Sequence, residues 1–161
     1  MNINRKAFTM IELVFVIVVL GVLAAIAVPR LAATRDDAII ASGRANILAI
    51  RSGIISERQA RMFRGDSSYA GELDDNATVT LNKAGEALFS VVLAQPYRGA
   101  GKSGWIKTAH ANGGATATYR FRVNNQGNHT DFTYTTANGV FDCNLTAGTA
   151  SEKALCASLT Q

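Results

Sequence analysis

Histidine and cysteine are scarce in this 161-residue chain: His110 and His129 are the only histidines, Cys143 and Cys156 the only cysteines. Neither histidine has ligand spacing to the cysteines, which argues against zinc. No neighbouring residues suggest a Ser-His-Asp or Cys-His arrangement for nucleophilic catalysis. A phosphate-binding loop is also missing. The stretch GAGKSG, Gly99 to Gly104, holds Gly-Lys-Ser but lacks the upstream glycine at P-loop spacing. Nor is there a strong excess of charge. The formal net charge is +4, and leaving out Arg5 and Lys6 brings it to +2, too little to imply nucleic acid by itself. The expectation is a protein with no cofactor, no metal and no enzymatic chemistry.

Charge is rarest between Ala7 and Pro29, where Glu12 stands alone. Hydrophobic residues make up 48% of the chain but are unevenly spread, and Phe8 to Val28 is a run of 21 residues. A helix needs about 20 to cross a bilayer. The run is rich in β-branched residues, yet in lipid the backbone must satisfy its own hydrogen bonds, which selects a helix. Arg5 and Lys6 precede it, and the positive-inside rule places them in the cytoplasm, while Arg30 and Arg35 follow on the other side. Beyond Pro29 the composition is mixed and suits a water-soluble domain. One reading of the run is a plain membrane anchor. Another is a secretory signal peptide, with Ala25-Ile26-Ala27 as its small-residue cleavage site. Either would serve a periplasmic binding or enzymatic domain. Glu12 counts against both, because a carboxylate in a membrane helix costs roughly 2.5–3.5 kcal/mol at the centre and less near the end.

A third reading rests on resemblance. The stretch KAFTMIELVFVIVVLGVLAAIAVPRL resembles the N-terminus of type IV pilins and type II secretion pseudopilins: a short basic leader, a small residue, Phe-Thr-Met-Ile-Glu, then an apolar run ending in Pro. The likeness is close from Arg5 to Leu31 and general beyond. It implies that a membrane aspartic peptidase cuts between Ala7 and Phe8 and that Phe8 becomes the N-methylated first residue. The family usually has Gly before the cut; Ala7 is the smallest alternative. The resemblance also gives Glu12 a role in assembly, pairing with the Phe8 amine of a neighbouring subunit inside the membrane. It implies a structural subunit of a pilus or pseudopilus, held in the bacterial inner membrane with the N-terminus cytoplasmic and the C-terminal domain periplasmic. The filament would serve type II-like secretion or DNA uptake. Implied partners are other copies and other pilin-like subunits, the prepilin peptidase and methyltransferase, the inner-membrane assembly platform and membrane lipid. The expected plan is α+β, one long helix packed on a small antiparallel sheet. Its parts are a leader at 1–7, a membrane and filament-core helix at 8–29, an amphipathic continuation at 30–63, and a periplasmic sheet domain at 64–161.

Past Pro29, Ile40, Ile47, Ile50 and Ile54 share one helical face. Arg44, Arg51 and Arg58 border it, and the set extends to Arg61 and Arg64. Such a stripe is either a solvated face or a contact with DNA, or with acids such as Asp36 and Asp37 of neighbouring subunits; DNA binding by it would be weak and electrostatic. Gly21 and Pro29 are candidate kinks or melting points, and Gly65 ends the helix. Residues 66–82 read as a loop with at most a short strand, and Lys83 to Ala94 as a short helix stopped by Pro96. Gly104 to Thr108, Ala117 to Val123, Asp131 to Thr135 and Gly139 to Cys143 suit an antiparallel meander. Tyr119, Phe121 and Val123 alternate with Arg120 and Arg122, giving one buried and one wet face.

Three further features complete the expectations. An even pair of cysteines beside a membrane-targeting segment favours an oxidising compartment and a Cys143–Cys156 disulfide, closing a polar segment that is otherwise poorly held. Asn124, Asn125, Gln126, Asn128 and Asp131 form an oxygen-rich loop. Some resembling pseudopilins bind calcium in a sheet loop, but a single carboxylate favours a plain hairpin turn here. Asp74-Asp75-Asn76-Ala77-Thr78 and Asp142-Cys143-Asn144-Leu145-Thr146 each place an acid two residues before Asn-X-Thr, which makes Asn76 and Asn144 candidate glycosylation sites.

Overall fold

The computed structural model describes residues 8–75, 79–99, 103–111, 114–124 and 127–161, with Ala32 described by its backbone alone. The elements run α1 (Met10–Phe63), β1 (Ala87–Leu88), β2 (Tyr97–Arg98), β3 (Gly104–Ala109), β4 (Thr116–Arg122), β5 (His129–Thr135), β6 (Val140–Cys143) and α2 (Ala150–Thr160). This is an α+β arrangement, a long N-terminal helix and a small antiparallel sheet. The chain divides into two units, one ending at Asp37 and the other covering Ala38–Gln161.

In the first unit, Thr9 opens α1. Its carbonyl accepts the Glu12 and Leu13 N–H groups at 3.1 and 3.2 Å, and its hydroxyl accepts that of Glu12 at 3.3 Å. The Leu13 bond is the first of the helical ladder, and the bonds to Glu12 satisfy a donor that a helix start leaves without a partner. The helical assignment passes through both Gly21 and Pro29. Pro29 still deprives one carbonyl in the preceding turn of its donor, and Gly21 has open space around it. Every residue from Phe8 to Leu31 is exposed, and the most apolar stretch has a mean hydropathy of 3.0 with none of it buried. A helix that is apolar on all sides requires lipid or other apolar helices around it.

In the second unit, α1 buries Ile47, Ile50 and Ile54 and half-buries Ile40. Two glycines let this part of the helix approach closely. A Cβ on Gly43 would lie 2.6 Å from the Phe121 ring, and one on Gly53 would overlap the Val92 carbonyl. The helix closes in a Schellman motif at Gly65, whose φ is 85°. There the Gly65 N–H donates to the Met62 carbonyl and the Asp66 N–H to that of Arg61, both at 3.0 Å.

The four long strands form a meander in the order β3-β4-β5-β6. Alternation places Ala117, Tyr119 and Phe121 of β4, Phe132 and Tyr134 of β5, and Phe141 and Cys143 of β6 in the core. Trp105 of β3 lies 5.0 Å from Phe121 and 5.2 Å from Phe132, ring centre to ring centre, and Phe132 stacks on Phe141 at 5.2 Å. On the wet face Arg120 stands directly across from Asp131 and binds it with two hydrogen bonds of 2.7 and 2.9 Å.

Two expectations need correction. Lys83 to Ala94 is not a helix. Gly85 takes φ 82° and Phe89 takes φ 61°, and Ala87–Leu88 pairs instead with Tyr97–Arg98. Leu88 and Phe89 are both buried, so packing overrides the helical propensity of this run and offsets the left-handed strain at Phe89, about 1–3 kcal/mol. The described residues of 66–82 are a loop, as expected, and contain no strand. The C-terminal segment is not poorly held either. Residues Ala150–Thr160 form α2, opened by a capping box in which the Thr149 hydroxyl accepts the Glu152 N–H at 3.2 Å and Glu152 accepts the Thr149 N–H at 2.7 Å. Those bonds hold the Glu152 carboxyl below the usual carboxylate range. Leu155, Cys156 and Leu159 are buried, and Cys156 is bonded to Cys143 of β6 with a Cα separation of 5.9 Å.

Two outcomes follow from this packing. Gly→Ala in an exposed helix stabilises by about 1 kcal/mol. Gly53→Ala is expected to reverse that sign and destabilise the second unit by roughly 1–3 kcal/mol through overpacking, as measured by denaturant unfolding of a fragment beginning near Arg30. Reducing the disulfide is expected to cost about 3 kcal/mol on the chain-entropy model. Because α2 has its own cap and core contacts, the reduced fragment should keep α2's helical signal below its lowered midpoint, which circular dichroism checks.

Candidate functional site

The N-terminal end of α1 carries the residues with the most specific sequence signal. Phe8 precedes the helix and is 79% exposed. Glu12 lies in the first helical turn, also exposed. An acid there is favourable to the backbone, since the helix N-terminus carries partial positive charge. Among the described residues, no cationic side chain pairs with Glu12. In lipid that leaves a charge whose partner must come from elsewhere. Residue 12 follows residue 8 by about one turn, so the amine of a chain cut before Phe8 and the Glu12 carboxylate would sit one turn apart. Ala7, the other residue of the expected cut, lies outside the described residues.

The arginine stripe is partly solvated, with Arg44 and Arg64 exposed and Arg51, Arg58 and Arg61 half-buried, and its guanidinium groups are engaged within the second unit. Arg44 donates from Nε to the Ser158 carbonyl in α2. Arg51 donates from Nε to the Phe141 carbonyl and from Nη2 to Asp142 Oδ1, each at 3.1 Å. Arg58 donates to the Tyr69 hydroxyl at 2.7 Å, with its guanidinium 4.3 Å from that ring's centre. Arg61 binds Glu57 at 3.0 Å, and Arg64 lies 3.6 Å from the same carboxylate. The stripe fastens the second unit's helix to β6, to α2 and to the loop that follows it. Sequence alone showed the period of these arginines, but the acceptors of Arg44 and Arg51 lie far along the chain, at Ser158, Phe141 and Asp142.

A buried ionic cluster also escaped the sequence. Lys107 of β3 is fully buried, and its Nζ donates to Asp74 Oδ1 at 2.6 Å and to Glu72 Oε2 at 2.8 Å. The Tyr119 hydroxyl donates to Asp74 Oδ2 at 2.8 Å. Glu72 accepts the Ala111 N–H with its other oxygen. Burial, and then the nearby Asp74 charge, push the Tyr119 hydroxyl well above the ordinary tyrosine range, so it is a donor here. A signal did exist: Lys107 pairs across the strands with Tyr119, and cross-strand partners share a face. An inward Tyr119 therefore implied an inward lysine. Nearby, Tyr134 donates to the Ala70 carbonyl at 2.7 Å, and burial pushes its hydroxyl up to about 12.

Of the two candidate glycosylation sites, Asn76 lies outside the described residues, and the acid that precedes it, Asp74, is buried in the cluster. Asn144 is exposed, and its Oδ1 accepts the Thr146 N–H and hydroxyl, both at 2.8 Å, and the Ala147 N–H at 3.0 Å. In the candidate calcium loop, Asp131 is engaged by Arg120, while Asn125 and Gln126 lie outside the described residues. Among the described residues no group of three or more His, Cys, Asp or Glu side chains is placed to hold a metal ion.

Comparison with curated proteins and with solved structures gives no match to the chain. The family comparison does find one segment: residues 2–28 match the prokaryotic N-terminal methylation motif, so the chain carries the prepilin-type cleavage and methylation signature of type IV pilins and pseudopilins.

Proposed function

We propose that the chain is a structural subunit of a pilus or pseudopilus, assembled from the bacterial inner membrane. The observation that carries this reading is the coincidence of the methylation motif at residues 2–28 with a helix apolar on every side and acidic in its first turn. Before assembly, lipid covers the apolar residues, Arg5 and Lys6 stay cytoplasmic, and the unit from Ala38 onward lies in the periplasm. The peptidase cuts between Ala7 and Phe8, and Phe8 is methylated. In the filament, apolar helices of neighbouring copies and of other pilin-like subunits cover one another, which offsets the loss of lipid. The Glu12 carboxylate meets the Phe8 amine of the next subunit, and each neutralises a charge that is expensive where water is excluded. A filament of this kind serves type II-like protein export or DNA uptake, working with the inner-membrane assembly platform. Arg44, Arg51 and Arg58 already have acceptors within their own unit, which speaks against a stripe reserved for phosphates and so favours export.

Two measurements test this reading. The mature N-terminus is expected at Phe8 with one added methyl group, read by mass spectrometry of protein from the membrane. A start at Val28 would instead mean a secreted domain behind an ordinary signal peptide. Second, Glu12→Leu is expected to insert and lose its leader normally but to assemble no filaments. Removing one partner of a buried pair typically costs about 3–5 kcal/mol, more than the added leucine returns. Leader removal, membrane retention and sheared filaments are followed in cells expressing the variant alone; normal filaments would sink the docking role of Glu12.

A further inference from the structure

The Lys107 cluster places an amine against a carboxyl group in the core. Lys107 has no exposed surface and Asp74 is 2% exposed, so bulk water solvates neither. The Lys107 Nζ is 2.6 Å from Asp74 Oδ1, the spacing of two reactants held in contact. Glu72 Oε2 touches the same nitrogen at 2.8 Å and supplies a second carboxylate able to carry a proton. The Tyr119 hydroxyl touches the other Asp74 oxygen at 2.8 Å and is positioned to stabilise charge developing there. Around the cluster lies an aromatic shell: the amine is 5.5 Å from the centre of the Tyr119 ring, and Tyr119 packs on Phe89 at 4.7 Å.

We propose that Lys107 and Asp74 form an intramolecular isopeptide bond. The ammonium first passes one proton to Asp74 Oδ1, leaving a neutral amine and a neutral carboxyl group. The Nζ lone pair then attacks Cγ, and the Cγ–Oδ2 π electrons move onto Oδ2, held by the Tyr119 hydroxyl. Glu72 takes one of the two remaining protons from the nitrogen and delivers it to Oδ1. The Cγ–Oδ1 bond breaks, Oδ1 leaves as water with both protons, and the Cγ–Oδ2 double bond re-forms. The nitrogen keeps one hydrogen, Glu72 returns to its carboxylate, and the net charge of the three groups is −1 before and after. No oxidant, reductant or co-reactant takes part.

In open water such a condensation is disfavoured, because the separated ions are strongly hydrated. Burial withholds that hydration from the ions. Fixed contact adds an effective concentration that in well-oriented intramolecular reactions reaches roughly 10⁵–10⁸ M, and the proton shuttle contributes in the usual manner of general acid–base groups. The bond would tie the loop after α1 to β3, across a sequence separation of 33. It complements Cys143–Cys156, which ties α2 to β6: a reductant opens the disulfide and leaves the amide intact. The proposal stands whether or not the chain assembles into filaments.

The test is mass spectrometry of the purified full-length protein, reduced and alkylated, both intact and after trypsin. The wild type is expected to be lighter than its mature sequence by one water, to resist cleavage after Lys107, and to yield one branched peptide joining Asp74 to Lys107. Lys107→Arg is expected to regain the full mass, and Glu72→Gln to remain largely unlinked while keeping its fold by circular dichroism. Full mass with separate, unmodified peptides carrying Asp74 and Lys107 in the wild type overturns the proposal, and the variants' ability to fold does not affect that result. A missing water that persists in Lys107→Arg overturns it as well. Undiminished linkage in Glu72→Gln overturns the proton-carrying role of Glu72.

Discussion

A charge removed from water must meet an opposite charge, and that requirement operates at both ends of this molecule. In the second unit it is met within one chain. Lys107 enters the core from β3 because its strand partner Tyr119 faces inward, and the loop after α1 has to come down over it with Asp74 and Glu72. The loop's path is therefore set by the lysine. Without the two acids the strand would bury an uncompensated cation, a penalty of several kcal/mol, and without the lysine Asp74 would be the orphan. In the first unit the same requirement is not met within the described residues. Glu12 lies on an apolar helix with no cation against it, and the proposed solution is intermolecular. One half of the chain satisfies its buried charge by folding, and the other is suited to satisfy it by assembling.

The arginines show how a single helix can serve two media. Up to Leu31, α1 has no polar face to orient it. From Ala38 it must hold a sheet and a second helix in place, and apolar contact alone is not directional. Ile47, Ile50 and Ile54 supply burial, while Arg44, Arg51 and Arg58 supply fixed geometry by reaching backbone carbonyls and a tyrosine hydroxyl. Guanidinium suits this work because it presents several donors in a rigid plane and stays charged. The glycines add a steric condition: at Gly43 and Gly53 the core comes so close that a methyl group would collide.

Much of this was legible in the sequence because it is periodic or local. The apolar run, the isoleucine face, the Gly65 stop and the four strands of the meander all follow patterns set by helix and strand geometry. The N-terminal methylation motif was legible by resemblance, and Glu12 drew attention because a carboxylate at that depth of an apolar run is costly enough to demand an explanation. What could not be read depends on contacts distant in sequence. The run from Lys83 to Ala94 has the composition of a helix, yet Phe89 adopts a left-handed backbone because the core accepts its ring there. The C-terminal helix was hidden by the polarity of DCNLTAGTASEKALC, although Thr149 and Glu152 form a capping box that can be recognised without a structure. Asp74 looked like part of a glycosylation signal, and only the loop's descent onto Lys107 reveals it as a core residue.

The same contacts join the parts of the second unit. Here the ionisable side chains with the most specific geometry are already engaged: Arg51 by Phe141 and Asp142, Arg58 by Tyr69, Arg120 by Asp131, and Lys107 by Asp74 and Glu72. The pieces they join are the helix, the loop after it and all four strands of the meander. If these joints failed, the sheet would separate from the helix that carries it. In the proposed filament subunit these joints would keep the folded unit attached to the second unit's part of α1.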